Sequence, residues 1–271
     1  MVRLEYSGRT DVGKTRANNE DALLVGADTD DKLFAIADGM GGHKAGEVAS
    51  FLTVATLKKL GPDDCLMEAI RRADRTILAC RGEGEFADMG TTVVALRFRE
   101  EDGYGLAAEI AHIGDSRAYL LRAGRLRRLT EDHSLVAELV QKGGIPSARA
   151  SDYPCKNVLT QALGAGEVAV EGTTFHAWPG DRVVLCSDGL SDAVAEEEIV
   201  RVLEAFPGDP EGAVQGLVGV ALEAGGADNV TVVVVDLKNQ VSASPSLEEV
   251  YSGAHRWVPK TRRRLAKVRL S

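Results

Sequence analysis

The sequence predicts an α+β fold in which helices pack on antiparallel β-sheets, and three observations lead there. Apolar runs of strand length crowd residues 91–129 and are joined by turns of a few residues, EEDGYG, GDSR and RAGR. Parallel neighbours need a crossover of about a dozen residues or more, so this spacing makes an antiparallel meander. Helical segments come in pairs instead of alternating with strands, which points to α+β. Apolar residues are 44% and charged residues 27% of the 271 positions, enough for a sizeable core in one large or two small domains.

In chain order, VRLEYS (2–7) reads as a strand, ALLV (22–25) as a short apolar run and KLFAIAD (32–38) as a strand. Over 45–60 and 63–81, apolar residues recur every three or four positions, predicting the first helix pair. TTVVALRFRE (91–100), GLAAEIAHIGD (105–115) and RAYLLRAG (117–124) are the meander strands. His112 falls inside the second of these and reads as a core side chain; His133, in EDHS, reads as capping and packing at a helix start. Arg117 is expected to anchor the loop around Asp115. DRVVLCSD (181–188) and NVTVVVVDL (229–237) are strands flanking a second helix pair at 195–205 and 210–224. No internal repeat is visible.

Charge divides the chain. Formal net charge is −9, which argues against nucleic-acid binding by the whole surface. Residues 239–271 nevertheless carry seven Lys/Arg against two Glu, after the linker-like NQVSASPS. Residues 1–238 are therefore read as one domain and 239–271 as a basic, flexible tail able to meet an anionic surface or an acidic partner. Cys65, Cys80, Cys155 and Cys186 form no C-x-x-C pair, and three of them lie in apolar surroundings, so free reduced thiols in a cytosolic protein are expected. MVRLEYSGRTD lacks the layout of a signal peptide, and no apolar run approaches the ~20 residues of a membrane helix. A cytoplasmic protein is expected.

One pattern recurs at the strand ends. LFAIAD closes on Asp38, EIAHIGD on Asp115 and VVLCSD on Asp188, while Asp228 precedes NVTVVVV and Glu20-Asp21 precede ALLV. Aspartate is a favoured turn residue, so any one of these is unremarkable alone. Converging on one edge they would repel one another unless protons or cations intervened. Mg²⁺ or Mn²⁺, hard ions with oxygen ligands, are the natural partners, and no Cys/His spacing suggests zinc. Gly39, Gly41, Gly42, Gly114 and Gly189 beside these acids clear the bulk that would keep backbone oxygens from an ion.

The blocks TRANNEDA (15–22), ADGMGGHKAGE (37–47), GTT (90–92), HIGDSRAYLLRAG (112–124), LTEDHSLV (129–136), CSDGLSD (186–192) and DNVTVVVV (228–235) occur in order. Together they resemble the bacterial branch of the metal-dependent serine/threonine protein phosphatases, the type 2C or PPM family, from about Tyr6 to Leu237. The resemblance implies a four-layer sandwich of two antiparallel β-sheets flanked by helix pairs, with the site at one end. It implies that Asp38 bridges two metal ions, that the Gly39 carbonyl binds one of them, and that Asp188 and Asp228 complete the second. Glu20 and Asp21 would hold metal-bound waters, and Asp115 and Asp192 would serve a third, weaker ion.

Arg16 would bind the phosphoryl group through paired N–H donors, which lysine cannot match geometrically. The implied reaction is hydrolysis of phosphoserine and phosphothreonine in proteins by direct attack of a water bridging the two ions, with His43 protonating the leaving alkoxide. The implied partners are phosphoproteins and the bacterial serine/threonine kinase whose marks the enzyme removes, and a monomer is expected. Residues 139–160 correspond to the family's variable flap beside the site.

Three rival readings weigh less. GRTDVGKT (8–15) matches the nucleotide-cradle pattern G-x-x-x-x-G-K-[ST] after a strand-like segment, which would make the protein a P-loop NTPase. That cradle needs a helix starting at Lys14–Thr15 with its N-terminus toward phosphate. RANNEDALLVG supplies no helical stripe. Cys65-LMEAI-Arg71 has the spacing of thiol phosphatases, but Leu66, Met67, Ala69 and Ile70 form an apolar helix face, placing Cys65 in or near the core. A catalytically inactive phosphoprotein-binding domain is disfavoured because every candidate metal ligand is present.

Overall fold

The long central strands are buried on both faces, and that decides the architecture. The computed structural model describes residues 2–26, 32–41, 44–82, 86–101, 105–146, 149, 153, 155 and 157–239. One five-stranded antiparallel sheet runs β1 (Val2–Asp11), β12 (Val230–Asn239), β11 (Arg182–Cys186), β8 (Arg117–Arg122), β9 (Arg125–Arg128). The other runs β10 (Glu171–Ala177), β7 (Gly105–Ile113), β6 (Val93–Glu101), β3 (Lys32–Ala37), β2 (Ala22–Val25). A two-residue ribbon pairs β4 (Gly39–Met40) with β5 (Gly90–Thr91).

Alternation along each strand divides its side chains between two cores. In β12, Val233, Val235 and Leu237 face the other sheet beside Phe34, Ile36, Val94, Leu96, Val183 and Leu185. Val230, Val232 and Val234 face helices α4 (Asp188–Ser191), α5 (Glu196–Ala205) and α6 (Pro210–Glu223). In the second sheet Leu33, Ala35, Val93 and Ala95 turn outward onto α1 (Lys44–Leu57) and α2 (Leu66–Cys80). The layers are helix, sheet, sheet, helix, as expected. Double burial explains why TVVVV reads as an unbroken apolar run.

The helices start where local chemistry permits. Asp209 accepts a bond from Gly212 N (3.0 Å) with Pro210 in the first turn of α6, and Ser134 caps α3 (Leu135–Gln141) by accepting from Ala137 N (3.2 Å). The cap of α3 is therefore Ser134, not His133. In α2 the buried stripe is Leu66, Ala69, Ile70, Ala73 and Ile77. Cys65 precedes that stripe as the N-cap residue and is exposed, so it does not lie in or near the core as expected; Cys80 at the other end is exposed as well. Among the described residues only Cys186 is a buried cysteine, and burial pushes its thiol up to about 12.

The meander is interrupted. β6 pairs with β7 and β8 with β9, but β7 and β8 belong to different sheets. Gly114, at φ +99°, makes the turn between them, and Thr92 and Ser116 hydroxyls lie 2.7 Å apart across it. Asp115 thus sits on the handover between the two sheets. The elements through Asn239 form one compact unit, while residues 240–271, and with them the basic tail, lie outside the described residues. Among the described residues no helix is long and apolar enough to cross a membrane.

One buried ion pair ties the second helix pair to its sheet. Arg182 and Asp236 are nearly inaccessible and joined by two bonds, Nη2 to Oδ2 at 2.7 Å, while the same guanidinium donates to Leu203 O (2.7 Å) and Phe206 O (2.9 Å). Removing one partner leaves a buried charge uncompensated. Asp236→Ala is expected to destabilise the fold by ~3–5 kcal/mol in urea unfolding, and Arg182→Leu/Asp236→Leu by less than the single variant.

Candidate active site

Strand register alone gathers the predicted acids. Asp38 follows β3, Asp115 follows β7, Asp188 follows β11 by one residue, and Asp228 precedes β12 by one. In one sheet the end pairs are Ala22 with Ala37, Ile36 with Val94 and Val93 with Ile113. In the other they are Asp11 with Val230, Cys186 with Val232 and Cys186 with Arg117. The link through Asp115 joins these two edges, so all four acids and Asp21, just before β2, share one end of the sandwich.

The side chains meet there. The Asp38 carboxyl lies close to those of Asp188 and Asp21, and Asp115 is near enough to repel it. Asp188 feels Asp115, Asp228 and Asp192; Asp115 feels Asp132 and Asp192. Desolvation is the first cause and mutual repulsion adds to it. Asp188 is pushed up to about 8, Asp21 and Asp115 to about 6, and Asp38 well above the usual carboxylate range. Two like charges 4 Å apart repel by about 4 kcal/mol at an effective dielectric of ~20, so this cluster is stable only when protonated or neutralised.

The backbone around Asp38 is held rigidly. Asp38 O accepts from Thr92 N (2.9 Å) and Thr91 Oγ1 (2.8 Å), and Asp38 N donates to Thr92 Oγ1 (3.2 Å), which accounts for GTT. At Gly39 a Cβ would come within 2.3 Å of Gly46 O, so only glycine lets α1 approach this turn. Asp21 Oδ2 accepts from Ser187 Oγ (3.0 Å) and Thr231 Oγ1 (2.6 Å).

The loop carrying Arg16, Glu20 and Asp21 hangs on Asn229, whose amide donates to Val12 O and Asn18 O (both 3.0 Å) and accepts from Glu20 N (2.8 Å). Asn229, Ser187, Thr231, Thr91 and Thr92 were not singled out from the sequence. The available signal was their place inside the quoted blocks: Ser187 and Asn229 adjoin Asp188 and Asp228, Thr231 follows in DNVT, and Thr91 and Thr92 form GTT.

The remaining predicted residues fall as follows. Glu20 lies on the same loop with its carboxylate against Gly46 in the first turn of α1. Arg16 is half-exposed and bonds Asp228 Oδ2 through Nη2 at 2.7 Å. His43 and Gly42 lie outside the described residues, as do seven of the twenty-two residues of 139–160. Arg117 makes a two-bond pair with Asp132 (2.9 and 2.6 Å), so it fastens the loop before α3 and not that of Asp115 itself.

A second group of possible ligands, His112, His133 and Glu171, brings its ligand atoms within 4.8 Å of one another. Both rings are already engaged. His112 Nε2 bonds Glu131 O (2.8 Å), as a core histidine should, and His133 Nδ1 accepts from Gly114 N (3.2 Å). The nucleotide-cradle match is dissolved by the fold: Gly8–Asp11 belong to β1 and pair with Val230–Val233 of β12, and the next element after Lys14 is strand β2, not a helix.

Whether the cluster suits a metal can be judged from its oxygens. Asp21 Oδ1 and Asp188 Oδ1 are buried and find no hydrogen-bond donor among the described residues. Unfilled carboxylate lone pairs in an all-oxygen set, among close carboxyls that need a shared proton or cation, fit a hard divalent ion such as Mg²⁺ or Mn²⁺.

Comparison with known proteins agrees with this geometry. The sequence profile of the Protein phosphatase 2C family matches residues 12–207. The chain is 43% identical over 242 residues to serine/threonine protein phosphatase PstP of Mycobacterium tuberculosis, covering 86% of this chain and 45% of that protein. It therefore spans less than half the length of that relative. It is 37% identical to serine/threonine phosphatase stp of Listeria monocytogenes, covering 84% and 94% of the two chains. Among solved structures, the catalytic domain of PstP in complex with two manganese ions superposes with a TM-score of 0.78 at 41% identity, over 88% of this chain and all of that one.

Proposed function

The chain belongs to the protein phosphatase 2C family, and from that premise we propose that it is a metal-dependent phosphatase acting on phosphoserine and phosphothreonine in proteins. The observation that carries the reading is the convergence of Asp21, Asp38, Asp115, Asp188 and Asp228 with two buried oxygens lacking donors. Asp38, Asp188, Asp228 and the Gly39 carbonyl would hold two Mn²⁺ or Mg²⁺ ions, with Glu20 and Asp21 around them and Asp115 and Asp192 at a weaker third position. When bound, such ions offset phosphoryl charge and lower the pKa of water.

The rest of the work belongs to side chains. Arg16 has one Nη committed to Asp228, which orients the guanidinium at the cluster's edge and leaves other N–H groups for two phosphoryl oxygens. Asn229 and the threonines of GTT hold the Arg16 loop and Asp38 in place, so little ordering remains for substrate to induce. His43 would return a proton to the departing serine or threonine oxygen, a task suited to an imidazole near neutral pH.

Residues 1–238 are proposed to carry this activity as a cytoplasmic monomer, opposing a serine/threonine kinase, with 239–271 as an appended basic segment. With Mn²⁺, the protein is expected to release phosphate from a phosphothreonine peptide, to lose at least ~100-fold of that rate with excess chelator, and to regain it on Mn²⁺ addition. Turnover that resists chelation would overturn the reading.

A further inference from the structure

Phe51 is 65% exposed, more than any other large apolar side chain among the described residues. It does not stand alone. Lys44, Glu47, Val48 and Phe51 follow the i, i+3, i+4, i+7 spacing that puts side chains on one face of α1. That face forms one wall of a cavity of about 560 Å³, with Phe86 and the loop residue Asp21 also lining it. The cavity is held open by rigid parts: Ser50 Oγ donates to Glu20 O at 2.6 Å, fastening α1 to the loop. Asp21 is also a member of the carboxylate cluster, so this one residue borders both the cluster and the cavity.

We propose that this groove receives an apolar side chain of the phosphopeptide substrate, one or two residues from the phosphorylated position. The inference rests on the phosphatase reading above and adds a substrate class to it: sites flanked by an aromatic or large aliphatic residue. Concave apolar lining with a few polar groups at its edge is the form of a ligand pocket, and Lys44 and Glu47 supply the charged rim here. A hollow of about 560 Å³ has room for a large apolar side chain together with the peptide backbone beside it, whereas a second folded copy would need roughly 800 Å² of matching surface on each partner. An extended peptide advances ~3.3 Å per residue and turns alternate side chains to the same side. With the phosphate at the cluster, Asp21, which borders both cluster and groove, sets the side on which a neighbouring side chain would enter the groove.

The test uses phosphothreonine peptides identical except for Phe, Leu, Ala or Lys at each of the two positions on either side of the phosphothreonine. The Mn²⁺-loaded protein is assayed, and each kcat/KM is divided by that of the same preparation for p-nitrophenyl phosphate, which has no neighbouring residue. At one position Phe or Leu is expected to exceed Ala by about tenfold or more, a difference of ~1.4 kcal/mol, and Lys to rank lowest. Phe51→Ala is expected to reduce that ratio to near one, through KM, and Phe51→Leu to keep most of it. Equal ratios at all four positions, or a preference untouched by Phe51→Ala, would overturn the subsite while p-nitrophenyl phosphate turnover leaves the phosphatase reading standing. A concentration-dependent dimer abolished by Phe51→Ala, with no change in peptide ratios, would reassign the face to self-association. Failure to hydrolyse p-nitrophenyl phosphate and every peptide would remove the phosphatase reading and this inference with it.

Discussion

Asp38→Asn is expected to lower kcat/KM for a phosphothreonine peptide by at least ~10³-fold, about 4 kcal/mol of transition-state stabilisation, even at saturating Mn²⁺. The amide keeps the shape of the carboxyl and the backbone bonds to Thr91 and Thr92, so the loop should stay in place. What it removes is the charge at the centre of the cluster, close to both Asp21 and Asp188. The same change should make the metal-free protein more stable, by about 1 kcal/mol in urea unfolding, because the amide is neutral without taking up the proton that a buried acid crowded by three others needs. Loss of activity with a gain in apo stability is the signature of a strained functional group. A variant that lost both would point to a structural role for Asp38, and full activity would remove it from the site.

Much of this arrangement was legible in the sequence because the signal is local. An apolar run buried on both faces ends abruptly where the chain reaches solvent, and Asp38, Asp115, Asp188 and Asp228 mark those points. Which sheet each strand joins is not local. Ile113 and Arg117 flank a turn that looks like a hairpin, yet Gly114 sends the chain across to the other sheet. The two outcomes differ in long-range partners, Glu171–Ala177 for β7 and Arg182–Cys186 for β8, that no short window contains.

Two edge strands were the other loss. β9 is RLRR and β10 is EGTTFHA, both largely exposed, and neither shows the alternation that half-burial imposes. Asn229 and Ser187 escaped because their work is to bond backbone or a neighbouring carboxylate, a role that residue type alone does not announce.

The raised acids also fix how the protein should respond to pH. In the unfolded chain these carboxyls titrate near ~4. In the folded, metal-free protein Asp21 and Asp115 titrate near about 6 and Asp188 near about 8. Between those limits the folded state holds more protons than the unfolded one, so its stability falls as pH rises from about 4 to about 8. Divalent ions require the deprotonated oxygens, so binding expels the same protons and affinity climbs over the same window. Each proton expelled contributes up to tenfold in Kd per pH unit.

The metal-free melting temperature should therefore decline from pH 5 to pH 8, while the increment given by 1 mM Mn²⁺ grows. Titration calorimetry at pH 6.5 in buffers of different ionisation enthalpy should register more than one proton released per protein, and fewer at pH 8.5. Asp188→Asn should flatten the upper part of the curve, since the group titrating there is gone. A metal-free protein whose stability rises through this range, or Mn²⁺ binding without proton release, would mean that the carboxyls are ionised before the ion arrives. The compensating positive charge would then have to come from the protein itself.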